Sequence, residues 1–430
     1  MDIGDKPQKA DALVVGGGLI GLAAALELAR QGAKVTCLEA DHFGAHQSAQ
    51  NWGFVRKQGR ALAEIPLMLD AISRWSHLSD YLGSDVQWVQ GGNLAVFETA
   101  VEEKQYQNWL NSASDFDIDS KLLRQNEINK IVPGWKRNIR GALFSPSDGH
   151  AEPSAVIEAY LYACRNAGVN LVQGAEAQSL ITRGSVVVGA KVCGQTYQAD
   201  TTVVTVGSST RKLLSTIDID FPQSFVTGTV SLTTPTEPLT KSTVWGNGFS
   251  FRQRQDGRVV CSVGGGGVVR LSPDLVAQIP LFLTAFKKNW RRFSIRPSLA
   301  LATELPKLLQ GRSGIRSTGA PTPAVRRSEG STALRKLQET VQGLDDLTIE
   351  HSWAGIIDST PDGNPVIDST PGPGGLVVVG GFSGHGYGLV PTVGQITADL
   401  VAGAKTSFDL HPFRLGRFVA HDFASPNSVL

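Results

Sequence analysis

The sequence predicts a fold of the α/β class, in which a domain with a parallel sheet is joined to an α+β domain with an antiparallel sheet. Three stretches of the 430-residue chain lead to this prediction. Residues 10–40 and 375–403 each follow the order strand, glycine loop, helix, and residues 221–270 are rich in the Thr, Val and Phe that favour strands. Because the first and last stretches share one pattern, we expect both chain ends to meet in one discontinuous domain.

The first stretch contains a glycine motif in a specific context. Gly16, Gly18 and Gly21 have the spacing G-x-G-x-x-G between an apolar strand and a helix rich in Ala and Leu. The first glycine permits a tight turn, the second lets a pyrophosphate approach the backbone, and the third lets the helix pack on the strand. We therefore predict that a pyrophosphate binds where Leu19 and Ile20 begin the helix.

A carboxylate follows the second strand of this motif. Glu39 stands 18 residues after Gly21 and is followed by Ala40. A carboxylate here accepts hydrogen bonds from the ribose hydroxyls of an adenosine and repels a 2′-phosphate. The motif therefore favours NAD or FAD over NADP and leaves the choice between the first two open.

The composition limits the class of protein. With 41% hydrophobic residues, 18% charged residues and a net charge of +1, the chain lacks the clustered basic excess of a general nucleic-acid binder. Its four cysteines are scattered without a C-x-x-C pair, so neither a metal site nor a disulfide is predicted. Because we find no signal peptide and no transmembrane segment, we expect a cytoplasmic protein.

The remaining elements follow from periodicity and turn residues. Helices are predicted at about 63–82, 101–115, 119–130 and 153–168, and residues 274–345 are mostly helical with an irregular part at 295–330. Strands are predicted at 169–174, 179–182, 186–192, 195–199 and 201–206. Residues 86–98 are predicted to form a hairpin that turns at Gly91 and Gly92.

A second glycine loop lies near the C-terminus. In the segment GGFSGHGYGLVP, Gly381, Gly384 and Gly386 precede a predicted helix. Free N–H groups at a helix start can stabilise the negative charge that a flavin ring acquires on reduction. A simple NAD enzyme rarely needs two such loops, so the pair of loops favours FAD.

With these motifs the chain resembles the FAD-dependent oxidoreductases that include D-amino-acid oxidase, glycine oxidase and sarcosine oxidase. The resemblance covers nearly the whole chain and also rests on the segments SAQNWGFVRKQGR, VVTVGSS, WAGIIDSTPDGNPVID and GFSGHGYG. It implies an FAD-binding, Rossmann-like domain of the glutathione-reductase type, formed by residues 1–85, 145–215 and 350–430. Residues 86–144 and 216–349 are then the substrate-binding domain with the antiparallel sheet.

The resemblance also implies an activity. The α-carbon of an amino acid or of a secondary or cyclic amine gives a hydride to flavin N5, which leaves an imine. The expected partners are this small molecule and oxygen or another electron acceptor. Two alternatives stay open: a flavin dehydrogenase that passes electrons to a quinone or a partner protein, and the flavin subunit of a multi-subunit dehydrogenase.

Residues that match the family motifs are expected to bind the cofactor. They lie in the loop after the acid, in a strand beside the adenine, near the pyrophosphate and in the C-terminal loop. These residues are Ser48, Asn51, Trp52 and Gly53; Glu176 and Ala177; Gly207; and Gly381, Phe382, Gly384, His385 and Gly386.

The chain departs from the family pattern at several positions. The arginine that grips the substrate carboxylate in glycine and D-amino-acid oxidases is Ile357 here, and the cysteine that attaches the flavin in sarcosine oxidases is Gly355. No lysine occurs between Lys241 and Lys287, where sarcosine oxidases place the lysine that activates oxygen. We therefore expect non-covalent FAD, and bulkier or cyclic amines rather than glycine or D-alanine.

Four residues are candidates for substrate contact or catalysis. Arg56 matches an arginine near the flavin. Asp358 could bind a substrate ammonium or cap the following turn, and His385 could tune the flavin, bind substrate or simply pack in its loop. Arg252 shares a strand face with Arg254 and could replace the missing clamp, or the two could pair with acids.

One further segment has an unusual mixture of residues. IPLFLTAFKKNWRRF, at 279–293, combines apolar, aromatic and basic residues at helical spacing. Such a helix either packs on the substrate domain or touches a membrane or a partner.

Overall fold

A mostly parallel sheet and a mostly antiparallel sheet organise the fold in the computed structural model. The structure describes residues 9–289, 293–298, 301, 320–370 and 372–423. The strands are β1 Ala10–Val15, β2 Val35–Glu39, β3 Phe54–Val55, β4 Asn93–Phe97, β5 Lys121–Leu123, β6 Gly141–Ser145, β7 Gly149–His150, β8 Asn170–Gln173, β9 Ala177–Arg183, β10 Val186–Val192, β11 Gln195–Val204, β12 Ser224–Pro235, β13 Thr243–Gly246, β14 Phe249–Gln253, β15 Arg258–Ser262, β16 Gly267–Leu271, β17 Phe293–Pro297, β18 Ile349–Ser359, β19 Val366–Asp368 and β20 Leu376–Gly380. The helices are α1 Leu19–Arg30, α2 Gln47–Gln50, α3 Ile65–Trp75, α4 Leu78–Leu82, α5 Ala100–Ser112, α6 Gln125–Ile131, α7 Pro153–Asn166, α8 Thr210–Leu214, α9 Pro273–Ala277, α10 Ile279–Asn289, α11 Arg327–Thr340 and α12 Gly386–Val401.

The first sheet has the strand order β19-β20-β11-β1-β2-β8, and β10 and β9 extend it from β11. The pairs from β20 to β8 are parallel, and β19, β10 and β9 run antiparallel to their neighbours. Leu13 and Val14 in β1 are fully buried, which fits the apolar run predicted there. The glycine turn after β1 therefore opens at the carboxyl edge of a parallel sheet, where such sheets bind ligands.

The second sheet has the strand order β17-β16-β12-β15-β14-β13-β4-β6-β5, with β18 paired to β12. Most of its pairs are antiparallel, as predicted for 221–270, but β13 pairs with β4 and β16 with β17 in parallel. A turn at Asp256 and Gly257 joins β14 to β15, where Gly257 donates its N–H to the carbonyl of Arg254. This sheet forms one side of the cavity described below.

Helices α1 and α12 bring the two glycine loops together. A Cβ on Gly394 of α12 would lie 2.7 Å from the Cβ of Ala23 in α1, so small residues allow the two helices to touch. Strand β20, which leads into α12, pairs with β11 beside β1. The first and last predicted stretches therefore belong to one layer.

Two predictions of local structure are wrong. Residues 86–98 do not form a hairpin, because β4 pairs with β6 and β13 and not with the residues before Gly91. Residues 119–130 do not form one helix, because β5 adds residues 121–123 to the edge of the second sheet before α6 begins. The predicted strands at 195–199 and 201–206 are one strand, β11, up to Val204.

The division of the chain into two domains stays a prediction, as does the glutathione-reductase type of the first domain. The structure as described is a mixed α/β fold. Strand β18 pairs with β12 from Ile349 to Ser359 and so belongs to the second sheet. A boundary drawn by sheet membership therefore falls after Ser359 and not at 350.

The segment at 279–293 is helical as α10 up to Asn289, while Trp290, Arg291 and Arg292 lie outside the described residues, as does most of the predicted irregular part at 295–330. Phe282 of α10 is buried, whereas Leu283 and Phe286 are partly exposed. Within the described part of the chain, no helix has both the length and the apolar character needed to cross a bilayer.

Candidate active site

Both glycine loops and the second sheet line one cavity of about 880 Å³. Most predicted site residues line it, namely Gly16, Gly18, Leu19, Ile20, Glu39, Ala40, Ser48, Asn51, Trp52, Arg56, Glu176, Ala177, Gly207, Asp358, Phe382, Gly384, His385 and Gly386. The predicted residues that do not line it are Gly21, Gly53, Arg252 and Gly381.

The three glycines of the N-terminal motif have different surroundings, since some are closely packed and one faces open space. Gly16 has φ +111°, and a Cβ on Gly21 would lie 1.9 Å from the carbonyl oxygen of Gly16. Gly18 has an ordinary φ of −72°, and among the described residues beyond its chain neighbours a Cβ there would meet only Ser48 Oγ, at 3.0 Å. The space in front of Gly18 therefore belongs to the cavity and fits the pyrophosphate of a dinucleotide.

Glu39 lies in the cavity wall with its carboxylate already fixed. Its oxygens accept hydrogen bonds from the N–H groups of Gly17 at 2.8 Å and Asp41 at 2.9 Å. A carboxylate offers about four acceptor positions. Glu39 can therefore still accept hydrogen bonds from ribose hydroxyls, and its orientation is set in advance.

The loop after the acid is held in shape by its own side chains. Asn51 donates from Nδ2 to the carbonyl of Ser48 at 2.6 Å and accepts from the N–H of Gly53 at 2.7 Å. The ring centre of Trp52 lies 5.4 Å from that of Trp245 in the second sheet, with the two ring planes tilted by 33°. Gly53 supports this loop from outside the cavity, since a Cβ there would lie 2.3 Å from the carbonyl oxygen of Ala151.

Asp358 connects three segments of the chain. Its carboxylate accepts hydrogen bonds from Gln47 Nε2 at 2.8 Å, Gln223 Nε2 at 3.0 Å and the N–H of Gly381 at 3.2 Å. Burial raises the pKa of this carboxyl, although the amide donors act in the opposite direction. The structure thus shows Asp358 as a tether for the C-terminal loop, and its contact with a substrate ammonium stays a prediction.

Arg252 is buried next to the cavity and not in it. Its Nε donates to the carbonyl of Trp52 at 2.5 Å, and its Nη2 lies 3.1 Å from Glu152 Oε2. Arg254 shares the same carboxylate at 3.3 Å. The structure therefore places Arg252 outside the cavity wall, where it supports the Trp52 loop, and its role in substrate binding stays a prediction.

Four side chains form a buried charged group, here called the Arg60 cluster: Arg56, Arg60, Glu64 and His385. Arg56 donates from Nη1 to the carbonyl of Gln58 at 2.7 Å, and its guanidinium lies 5.3 Å from the ring of Trp245. Arg60 also lines the cavity, and its Nη1 is buried without a hydrogen-bond partner among the described residues. Burial, followed by the nearby Arg56, lowers the pKa of Arg60 to about 9.

Within this cluster, His385 is paired with Glu64. Its Nδ1 lies 3.1 Å from Glu64 Oε2, and its Nε2 is buried without a partner among the described residues. Burial and then the charge of Arg60 lower the pKa of His385 to about 4. The imidazole is therefore neutral at physiological pH.

The wall opposite the nucleotide end is strongly apolar. Strands of the second sheet and helices α9 and α10 provide most of its side chains. These are Val226, Val230, Trp245, Val269, Leu275, Phe282, Ala285, Phe286, Phe293 and Ile357. Ile357, which occupies the position of the missing arginine, is 37% exposed and contributes to this wall.

Sequence reasoning missed Arg60 and Glu64. Arg60 carried a usable signal, because it stands four residues after Arg56 in the same motif segment. Glu64 carried none, since an acid just before a helix is common at helix starts. None of the four cysteines lines the cavity, and the position at which sarcosine oxidases attach the flavin is Gly355, so no cysteine is placed to bind a flavin covalently there.

The chain is similar to known proteins over almost its whole length. The family model described as FAD dependent oxidoreductase (DAO) matches residues 11–400. The N-methyl-L-tryptophan oxidase of Salmonella dublin is 26% identical over 420 residues, which are 95% of this chain and 99% of that relative.

Two solved structures show the same fold. The L-amino acid deaminase from Proteus myxofaciens has a TM-score of 0.86 at 19% identity, over 96% of this chain and 95% of the other. The L-proline dehydrogenase from P. horikoshii has a TM-score of 0.80 at 20% identity, over 97% and 100% of the two chains.

Proposed function

The chain belongs to the family of FAD-dependent oxidoreductases that act on amino acids and amines, and we propose that it oxidises the C–N bond of an amino acid with a large apolar side chain. The observation that carries this proposal is the shape of one cavity. It joins the nucleotide motif, the Arg60 cluster and the apolar wall in a single space. A cofactor and an apolar substrate would therefore share it.

The residues of the cavity fit FAD. The open space before Gly18 would take the pyrophosphate, and Glu39 would bind the ribose. The C-terminal loop and the start of α12 would lie along the flavin ring. When bound, FAD supplies the acceptor for a hydride from the substrate α-carbon, and the substrate becomes an imine.

The Arg60 cluster would bind the substrate carboxylate in place of the clamp missing at Ile357. The cluster contains two guanidinium groups and one carboxylate, on which both positive charges act, so it carries excess positive charge. Arg60 Nη1 lacks a partner among the described residues and is buried, and a buried donor of this kind favours an anionic ligand.

The same charge favours the reactive form of the substrate. A protonated amine next to Arg56 and Arg60 is repelled, which lowers the pKa of the bound amine. The uncharged amine then presents a lone pair while its α-carbon loses the hydride. The apolar wall would bind the side chain and exclude water from the reacting atoms.

The apolar wall also indicates the substrate class. Apart from Asp358, no carboxylate side chain of the described residues lines the cavity near this wall, and three donors already take most of the acceptor positions of Asp358. A cationic side chain would therefore find few acceptors there, and an apolar side chain is favoured. The similarity to an N-methyl-L-tryptophan oxidase points in the same direction.

Anaerobic bleaching of the flavin tests the proposal. The screen covers both enantiomers of the amino acids, their N-methylated forms and cyclic imino acids. We expect phenylalanine, tryptophan or N-methyltryptophan to bleach the flavin in at least one of these forms. Arg60→Met should weaken binding of that substrate, while the corresponding amine without a carboxylate should be a poor substrate for both proteins. Bleaching by glycine or D-alanine alone would contradict the proposal.

A dehydrogenase is the second candidate, and it is favoured because the described residues place no lysine at the substrate end of the cavity. Among the described residues the cavity contacts Lys212, which pairs with Glu176 at the nucleotide end, but no other lysine. Oxygen uptake with release of peroxide would identify an oxidase. Turnover with a quinone or dye but not with oxygen would identify a dehydrogenase.

A further inference from the structure

Glu64 is a buried carboxylate whose side-chain hydrogen-bond partner, among the described residues, is the imidazole of His385. It ends the short helical turn Leu62–Glu64 just before α3, is 0% exposed, and does not line the cavity. Its two oxygens lie 3.3 Å and 3.1 Å from the same atom, His385 Nδ1. This arrangement links α3 to the first residue before α12.

The charge of Glu64 follows from its neighbours. Burial alone raises the pKa of a carboxyl, but His385 and the guanidinium groups of Arg60 and Arg56 together hold the pKa of Glu64 below its ordinary value. An ionised carboxylate only accepts hydrogen bonds. The shared proton therefore sits on Nδ1 of His385, which donates to Glu64.

The other nitrogen of the ring then has a defined role. Because the imidazole is neutral and Nδ1 carries its hydrogen, Nε2 has a lone pair and no hydrogen. His385 lines the cavity, and Nε2 is buried without a partner in the described part of the chain. A buried acceptor of this kind is available to a donor from a ligand or from an ordered water.

We propose that Glu64 is a positioning residue that fixes His385 as the Nδ1–H tautomer, so that Nε2 accepts a hydrogen bond from the N–H of the uncharged substrate amine. This inference rests on the proposed function and adds a second contact to it. Arg60 would bind the carboxylate, and His385 would bind the amine of the same molecule. The cationic guanidinium of Arg60 and the neutral acceptor nitrogen of His385 together suit an α-amino acid that has an ionised carboxylate and an uncharged amine.

The tautomer can be measured directly in the holoenzyme. Ring-¹⁵N-labelled histidine gives distinct shifts for protonated and unprotonated nitrogens, and loss of one of the eight histidine signals in His385→Gln assigns the residue. We expect an unprotonated Nε2 and a protonated Nδ1 in the wild type. Glu64→Gln, whose amide can donate as well as accept, should allow the other tautomer.

Glu27→Gln serves as a matched control. Glu27 is a buried carboxylate of α1 that binds the Tyr81 hydroxyl at 2.7 Å, and it does not line the cavity. This variant should leave the His385 signals unchanged. A protonated Nε2 in the wild type, or the same tautomer in Glu64→Gln, would overturn the role of Glu64.

A pair of ligands identifies the donor. α-Methyltryptophan keeps the amine but has no α-hydrogen to lose, whereas indole-3-propionate lacks the amine. We expect the Nε2 signal to move with the first and not with the second. An equal response to both, or a shift already complete when FAD alone is added to the apoprotein, would refute the amine contact. Since neither ligand is oxidised, the proposed activity is judged separately by flavin bleaching.

Discussion

Substitutions at Gly18 and Gly21 should separate an effect on cofactor binding from an effect on the stability of the fold. In Gly21→Ala the new methyl would lie 1.9 Å from the carbonyl oxygen of Gly16 and 2.7 Å from Thr205 Oγ1, so backbone must shift. Overpacking of this kind costs ~1–3 kcal/mol. In Gly18→Ala the φ of −72° suits alanine and the methyl meets Ser48 Oγ at 3.0 Å. The smaller entropy of the unfolded chain stabilises such a variant by ~0.4–1 kcal/mol, which offsets the tight contact.

The methyl of Gly18→Ala would project into the space assigned to the pyrophosphate. We expect its apoprotein to unfold at the wild-type temperature within a few degrees and its Kd for FAD to rise about tenfold or more, which is ~1.4 kcal/mol. Gly21→Ala should instead lower the stability of the apoprotein. Thermal unfolding without FAD and titration of the flavin fluorescence measure the two effects. Wild-type FAD affinity in Gly18→Ala, or an unchanged Gly21→Ala apoprotein, would refute this reading of the motif.

Three other perturbations have defined outcomes. Arg252→Met should cost ~1–3 kcal/mol in denaturant unfolding, because the carbonyl of Trp52 loses its donor while Glu152 keeps Arg254, yet leave the relative rates of flavin reduction by different substrates unchanged. Ile357→Arg should restore a carboxylate clamp and raise the affinity for glycine or D-alanine about tenfold, since a charge-assisted hydrogen bond contributes ~1.5–3 kcal/mol. Burial lowers the pKa of His385 to about 4 and that of His150 to about 3, so the unfolded chain binds more protons below pH 6.5, and stability should fall as the pH drops from 6.5 towards 4. His150→Asn should make the free energy of unfolding depend less steeply on pH, by at most ~1.4 kcal/mol per pH unit.

The parts of the fold that were predicted correctly depend on local signals. The β1–α1–β2 unit follows from a glycine spacing and two apolar runs that are contiguous in sequence. The failed hairpin depends on distant residues, since a Cβ on Gly91 would lie 1.8 Å from the carbonyl oxygen of Lys241 and one on Gly92 would meet Phe144. These two glycines permit close contact between strands and do not form a turn.

The candidate site shows the same limit. Motif matching placed Gly18, Glu39 and His385 at the cavity, because each belongs to a short pattern. The surroundings of Asp358 could not be predicted, since its partners Gln47 and Gln223 come from remote parts of the chain and have no motif of their own. Burial and pairing are properties of the folded chain.

The contact between α1 and α12 has a consequence for biosynthesis. The first nucleotide-binding element emerges from the ribosome early, but its sheet neighbours β11 and β20 and its helix neighbour α12 are translated much later. Pairings of such high sequence separation form slowly and leave apolar surface uncovered in the meantime. The nascent chain therefore cannot complete its cofactor site until α12 has left the ribosome, so FAD can be bound in its full site only after that point.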